Sequence, residues 1–318
     1  MTRKIQLLII LATLCATISF SFVDPKYEGV LDLRYVRSNN LYKGTGSFNI
    51  SDIQLNVKFP LNKHYLVFYE THLMGNIEQF EQLFLDIDGF ALPVNLKLGR
   101  FRVPFGNEKI NQSEKYFISN TVQRDAIWGN GSYLIPREEN GLDIYYHSRV
   151  FSADLFLVNG NGEISESAND KAGKSVGLDL RFLLKDVVDV GLSAYYNDLS
   201  TPSSNGVDNQ YLLLGTDYKF SVYEIDFEVA YLLATGKLNG SSKEVNALSG
   251  QIVIPYEKDL LIGLNTSYHS SSTMNDYRHI LSLSYIINQD ITLKTEYYID
   301  RINDKKDWRG QVQLLVRI

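Results

Sequence analysis

From Tyr27 to the end of the chain, apolar and polar residues alternate with a period of two, one stretch after another. Leu31, Leu33 and Tyr35 alternate with Asp32 and Arg34, and Ile53, Leu55, Val57 and Phe59 alternate with Gln54, Asn56 and Lys58. This is the signature of half-buried strands, because successive side chains point to opposite faces. Lys63–Leu73 and Gln79–Asp88 follow less cleanly, with apolar residues on both faces, and Pro93–Arg102 closes the first group. After a long break come Gly141–Arg149, Phe151–Asn159, Ser175–Leu184, Val187–Asn197, Gln210–Phe220 and Glu224–Ala234. Ala247–Tyr256, Asp259–His269, Arg278–Ile287, Ile291–Asp300 and Trp308–Ile318 complete a set of sixteen predicted strands.

Their connections differ in kind. Short ones fall near Pro60–Asn62, Gly89–Leu92, Ser148–Val150, Lys185–Asp186, Ser221–Tyr223, Glu257–Lys258 and Asn288–Asp290. Between them lie long ones rich in Asn, Ser, Gly and charge: Gly160–Lys174, Asp198–Asn209 and Thr235–Asn246. An even strand count with short turns at one end and long loops at the other is the pattern of outer-membrane barrels. The expected fold is therefore all-β, a transmembrane antiparallel β-barrel. Leu142, Leu178, Leu192, Phe227, Ile262, Leu293 and Val312 are predicted to face lipid. All seven prolines fall at strand ends, turns or loops, none in mid-strand, where a ladder hydrogen bond would be lost. A soluble sandwich or β-helix built from the same residues would have to pair every mid-strand Asp, Glu, Lys and Arg in its core. A water-filled lumen would not.

The break in the pattern is Val103–Glu139, the longest of the connections and the third loop at its end. Unstructured connections beyond about 12–15 residues are uncommon and usually functional. We read this one as a loop folded into the lumen. Pro104 and Gly106 offer a sharp turn at its start, and Tyr116, Phe117, Ile118, Ile127 and Trp128 need a surface to pack on. Lys97, Arg100, Arg102, Arg124 and Arg137 are the candidate basic groups of a constriction, opposed by Glu108, Asp125, Glu138 and Glu139.

Composition changes this picture little, but the amino terminus adds to it. The 318 residues are 44% hydrophobic with a formal charge of −6. Barrels look ordinary by composition because only alternate strand residues meet lipid. Arg3 and Lys4 precede an apolar run from Ile5 to Leu14, with Ser19 and Ser21 at small-residue positions. This reads as a secretory signal over residues 1–21, leaving a single barrel domain over 22–318. Its removal takes Cys15 and two positive charges, so the charge goes from −6 to −8. Disulfides and nucleic-acid binding are not expected.

Catalytic and metal chemistry find little support. His269 precedes Ser270, Ser271 and Ser272, but nothing supplies a third group to orient the base. The other histidines are scattered, and Asp86 with Asp88 falls short of a calcium shell. No catalytic residue, metal or cofactor is assigned.

One stretch carries a family resemblance. Leu98-Gly99-Arg100-Phe101-Arg102-Val103-Pro104-Phe105-Gly106 with Glu108 resembles the outer-membrane porins similar to the phosphate-selective porins O and P. Arg137 with Gly141, Val158-Asn159-Gly160-Asn161-Gly162, Gly215-Thr216-Asp217 and Glu228-Val229-Ala230-Tyr231 extend it over roughly 95–318. The resemblance implies a trimeric channel of the bacterial outer membrane, with the third loop folded inward. Two features depart from it. The last residue is Ile318 rather than an aromatic, and the inferred inward set leans acidic where phosphate-selective members are basic. The expected function is passive diffusion of small hydrophilic solutes or ions through a barrel set in outer-membrane lipid. The alternatives are an oxyanion-selective channel, a membrane-embedded enzyme and a plugged structural barrel.

Overall fold

The computed structural model describes residues 25–38, 46–74, 77–89, 93–106, 117–119, 121, 134–135, 137–159, 174–184, 187–199, 209–238, 241–271, 275–302 and 305–318. The predicted signal segment lies outside them. The strands are β1 (Lys26–Ser38), β2 (Gly46–Pro60), β3 (Tyr65–Met74), β4 (Ile77–Ile87), β5 (Asn95–Arg102), β6 (Glu138–His147), β7 (Phe151–Val158) and β8 (Ser175–Leu184). They continue as β9 (Val188–Leu199), β10 (Asn209–Val222), β11 (Ile225–Leu238), β12 (Ser241–Glu257), β13 (Leu260–Ser271), β14 (Asn275–Ile286), β15 (Ile291–Ile302) and β16 (Lys305–Arg317).

Each strand pairs antiparallel with its sequence neighbours, and β1 pairs with β16 to close the ring. That last ladder runs from Val30↔Arg317 to Ser38↔Arg309. It is extended by the terminal residue, since Gly29 N–H donates to the Ile318 carbonyl at 2.8 Å and Ile318 N–H to the Gly29 carbonyl at 2.9 Å. Closure matters because hydrocarbon offers no partner to an edge strand's N–H and C=O groups.

Alternation sorts the side chains as predicted. Asp32, Asp143, Asp179, Asp217, Glu296 and Gln313 are buried inside the ring, while Leu178, Leu192, Val229, Leu264, Leu283 and Val312 are exposed on its outside. All seven residues predicted to face lipid fall on this outward parity. Phe227, for example, is in step with Val229 and Tyr231, and its ring stacks 5.0 Å from that of Phe220 across the β10–β11 hairpin.

One expectation needs correction. Thr235–Asn246 is not a long loop: β11 and β12 stay paired up to Leu238↔Ser241. A backbone ladder needs no apolar side chains once it leaves the lipid, so polar residues there misled a reading based on hydrophobic alternation. The inner wall is apolar in one region. Phe156, Tyr195, Tyr211, Leu213, Leu232, Ala234, Val245 and Ala247 make an apolar patch on the inner face of β7–β12. It is covered by Phe101, Val103, Phe105, Leu134 and Ile135.

Candidate functional site

The candidate site grows out of the β5–β6 hairpin. Its ladder pairs Lys97 with Asp143, Gly99 with Gly141, Phe101 with Glu139 and Arg102 with Glu138. The paired glycines are steric necessities. Gly99 has φ +128°, and a Cβ there would lie 3.0 Å from the Phe84 Cα; one on Gly141 would meet the Val158 Cγ1 at 2.8 Å. Below them, Lys97 Nζ lies 3.1 Å from Asp143 Oδ2 and 4.2 Å from the centre of the Tyr145 ring. The Tyr145 hydroxyl donates to Asp86 at 2.7 Å.

At the end of the hairpin the charges interlock. The Arg102 guanidinium pairs with Glu70, and its Nε lies 3.6 Å from Glu138 Oε1. Arg137 Nε reaches the same Glu138 oxygen at 2.8 Å, and Arg137 Nη2 lies 3.7 Å from Glu81. The Gln82 amide donates to Glu70 and accepts the Arg102 backbone N–H at 3.0 Å. Gln54 also donates to Glu70, at 3.0 Å, and the His72 ring sits between Glu70 and Asp52, 2.8 Å from each. A register shift in the β3–β4 ladder, after Glu70, brings Glu81 and Gln82 together here. Arg100 stands apart: its ladder partners are Leu83 and Asn140, it shares its parity with the exposed Leu98, and its Nε donates to the Glu81 carbonyl at 3.1 Å. Glu139 takes the other parity, opposite Phe101, and is fully buried. Glu108, Arg124 and Asp125 lie outside the described residues.

Beyond Arg102 the chain is held by the wall of the barrel. Val103 N–H donates to the Arg137 carbonyl at 3.1 Å, tying the two roots together. Gly106 N–H donates to Ser193 Oγ on β9 at 3.0 Å and to Asp179 on β8 at 3.3 Å, and Ser193 donates in turn to Asp179. The Phe105 ring lies on Gly215 of β10, where a Cβ would come within 3.3 Å of it. The Tyr211 hydroxyl donates to the Leu134 carbonyl.

A different stretch of wall holds residues 117–119. Ile118 N–H donates to Glu296 Oε2 of β15 at 2.8 Å, and Ser119 N–H reaches the same carboxylate at 3.1 Å. Gln311 of β16 donates to Ser119 Oγ at 2.6 Å and to Glu296 at 2.8 Å. Phe117 is buried with Val253, Ile280 and Tyr298, and its ring would lie 2.8 Å from a Cβ on Gly263 of β13.

These wall residues were not singled out from the sequence as a site. Gly215 figured only in the family resemblance. The available signal was glycine in mid-strand on the inward parity, which marks close approach of another segment.

Elsewhere the inner wall carries its charges in pairs. Arg181 lies between Asp179 at 3.2 Å and Asp217 at 3.1 Å, and Arg278 grips Asp300 at 2.6 Å. The Arg278 and Arg309 guanidiniums flank the Tyr298 ring at 5.4 and 5.5 Å. His269 faces Asp276 at 3.8 Å, whereas Ser270 belongs to the opposite face, where it donates to Asn275 at 2.8 Å. The neighbouring His269 and Ser270 thus point away from each other.

The fold defines a class, that of closed sixteen-stranded outer-membrane barrels. Among solved structures, the chain is similar to an anion-selective porin from Comamonas acidovorans. The TM-score is 0.72 at 11% identity, covering 93% of this chain and 99% of that one. It is also similar to a loop L8 deletion mutant of OmpT, an outer membrane protein of Vibrio cholerae (TM-score 0.69, 9% identity, 93% and 99% covered). OmpF of Salmonella typhi, solved in complex with daunomycin, superposes with a TM-score of 0.67 at 11% identity, covering 92% of this chain and 97% of that one. No family model matches the chain, and no curated protein matches it in sequence. At these identities the likeness is one of fold.

Proposed function

We propose that this protein is a passive diffusion channel of the bacterial outer membrane for small hydrophilic solutes and ions, with segment 103–139 folded across the lumen as its constriction. The observation that carries the reading is the pair of anchorages of one connection. Gly106 is held by β8 and β9, and Ile118 by β15, six strands away around a ring of sixteen. A segment lying over the rim would have no reason to bury Phe117 and Ile118 against inward-facing side chains.

Selectivity in this reading comes from width and from fixed charge. The basic groups at the root, Arg102 and Arg137, each touch carboxylates, as do Lys97, Arg181 and Arg278 further around the wall. Such pairing favours weak ion preference over capture of an oxyanion, so phosphate-type selectivity is not proposed. The opposed faces of His269 and Ser270 favour a channel over a hydrolase. A trimer, which the resemblance implies, is the assembly we propose.

Single-channel recording in planar bilayers tests the reading. The wild-type protein should give discrete conductance steps, and deleting Ser113–Gly131 should enlarge them while the barrel still folds. Absence of steps would refute the channel, and unchanged steps in the deletion would refute the constriction.

A further inference from the structure

The outer face of the barrel carries a polar pair inside its apolar band. On β14 the outward positions run Asn275, Tyr277, His279, Leu281, Leu283 and Tyr285, starting from the end at which segment 103–139 leaves the wall. Their partners on β13 are Ser270, Tyr268, Thr266, Leu264, Ile262 and Leu260. Tyr277 and Tyr285 are exposed, and the Tyr268 and Tyr277 rings pack 4.7 Å apart. Tyr277 and Tyr285 are about 27 Å apart along the strand, roughly 20 Å in height at the tilt of such barrels. Aromatic girdles set that far apart bound the lipid-facing band. Above Tyr277 the polar surface begins, with Ser270 donating to Asn275 at 2.8 Å.

Thr266 and His279 are direct cross-strand partners one outward position below Tyr268 and Tyr277, just inside this upper girdle, and both are exposed. Thr266 Oγ1 and His279 Nδ1 are 3.3 Å apart, and His279 has no other hydrogen bond among the described residues. On its other side Thr266 pairs with Gly250 of β12, where nothing lies within 4 Å of an added Cβ. The pair thus opens onto a small gap, with Leu248 and Tyr268 above and Ile252 and Leu264 below.

An imidazole at this depth needs a partner for each ring nitrogen, because a bare polar atom against hydrocarbon costs free energy. The Thr266 hydroxyl can serve Nδ1 as donor or as acceptor. Nε2 depends on the membrane. Acyl carbonyl oxygens lie at the boundary between headgroups and hydrocarbon, and they only accept. That selects the arrangement in which Thr266 donates to Nδ1 and Nε2 carries the proton. We propose that His279, oriented by Thr266, donates its Nε2–H to an acyl carbonyl oxygen of an outer-leaflet lipid, whose chain lies in the gap at Gly250. The inference rests on the membrane placement but not on conduction.

The test uses the full barrel, its histidine rings labelled with nitrogen-15, in phosphatidylcholine vesicles whose acyl carbonyls carry carbon-13. Solid-state NMR should show dipolar coupling between a histidine ring nitrogen and a lipid carbonyl. His279→Leu should abolish that coupling, and Thr266→Val should weaken it. Urea titration in diester and in diether phosphatidylcholine, the second lacking carbonyls, gives a second readout. The diester-to-diether ratio of folding constants should be roughly two- to ten-fold larger for the wild type than for His279→Leu. His279→Gln, which keeps an N–H donor, should fall between them. Absence of coupling in the wild type, coupling that survives His279→Leu, or equal ratios in the wild type and His279→Leu would overturn the site. Full coupling in Thr266→Val would overturn the role of Thr266. A wild-type protein that failed to insert into either lipid would overturn the membrane placement and the lipid site with it.

Discussion

Glu296→Ala is the most informative single change, because one carboxylate holds the far end of the proposed constriction. It accepts the Ile118 N–H at 2.8 Å and the Ser119 N–H at 3.1 Å, besides Gln311 at 2.8 Å. A hydrogen bond to a charged group contributes about 1.5–3 kcal/mol. Two such bonds come from the loop, so up to about 3–6 kcal/mol of its attachment passes through Glu296. Water admitted by the missing side chain would satisfy the freed N–H groups, so the lower end of that range is the appropriate figure. About 3 kcal/mol is roughly a hundred-fold in the equilibrium between attached and detached forms. Phe117 remains as a second hold, since burying such a side chain contributes about 1.5–3 kcal/mol. The loop should therefore stay near its place but leave it often. In planar bilayers Glu296→Ala should show greater open-channel noise and a raised mean conductance, with unchanged heat-modifiable mobility of the barrel. Glu296→Gln, which keeps one acceptor oxygen, should fall between the two. If Glu296→Ala matched the wild type in both conductance and noise, the contacts of residues 118 and 119 would not be holding a constriction.

Other outcomes follow from the same geometry. Gly263→Val should displace the Phe117 ring, which an added Cβ would meet at 2.8 Å, and raise conductance without unfolding the barrel; recording from the purified variant checks it. Phe227→Arg, on the outward face, should lower the folding free energy in lipid by about 2–4 kcal/mol, measured by urea titration in vesicles. Arg102→Ala with Arg137→Ala should shift the reversal potential in a salt gradient towards cation preference. Arg100→Ala alone should not, because the Arg100 Nε is held by the Glu81 carbonyl, whereas Arg102 reaches the carboxylates of Glu70 and Glu138.

Strand number and lipid-facing register were legible because Asp, Glu, Lys and Arg stand in mid-strand on the inward parity and leave the other face apolar. The same rule hid the apolar part of the wall. Consecutive Leu212, Leu213 and Leu214 in β10 show no alternation, since Leu212 and Leu214 face outwards while Leu213 is buried under the loop root. That blurred run was itself a mark of internal contact, as were Gly215 and Gly263. The root of the loop was legible from Pro104 and Gly106, and the candidate arginines from their neighbours in sequence. Their partners were not. Glu70, Glu81 and Gln82 come from other strands, and they converge through a ladder irregularity that no local pattern announces. Separating Arg100 from Arg102 required their partners, because the two share a strand and a parity, and Arg102 reaches Glu70 and Glu138 while Arg100 binds the Glu81 carbonyl.

The two kinds of attachment at the loop differ in what they can specify. Apolar contact between Phe105, Ile135 and the β7–β12 wall supplies attraction, but burial is non-directional and would tolerate several placements of the segment. The ionic knot at Arg102, Arg137, Glu70, Glu81 and Glu138 contributes less net attraction, because removing charges from water offsets much of their Coulomb energy. It does demand one geometry: every displacement of the root strands a charge that is at least two-thirds buried. A pore whose width depends on where a single segment lies needs the second property as much as the first. Replacing Arg102 by Met would keep much of the apolar stem and lose the geometry. We therefore expect that variant to retain the barrel's thermal stability more nearly than its uniform conductance, and a single sharp conductance level in Arg102→Met would argue that the apolar contacts alone set the loop's position.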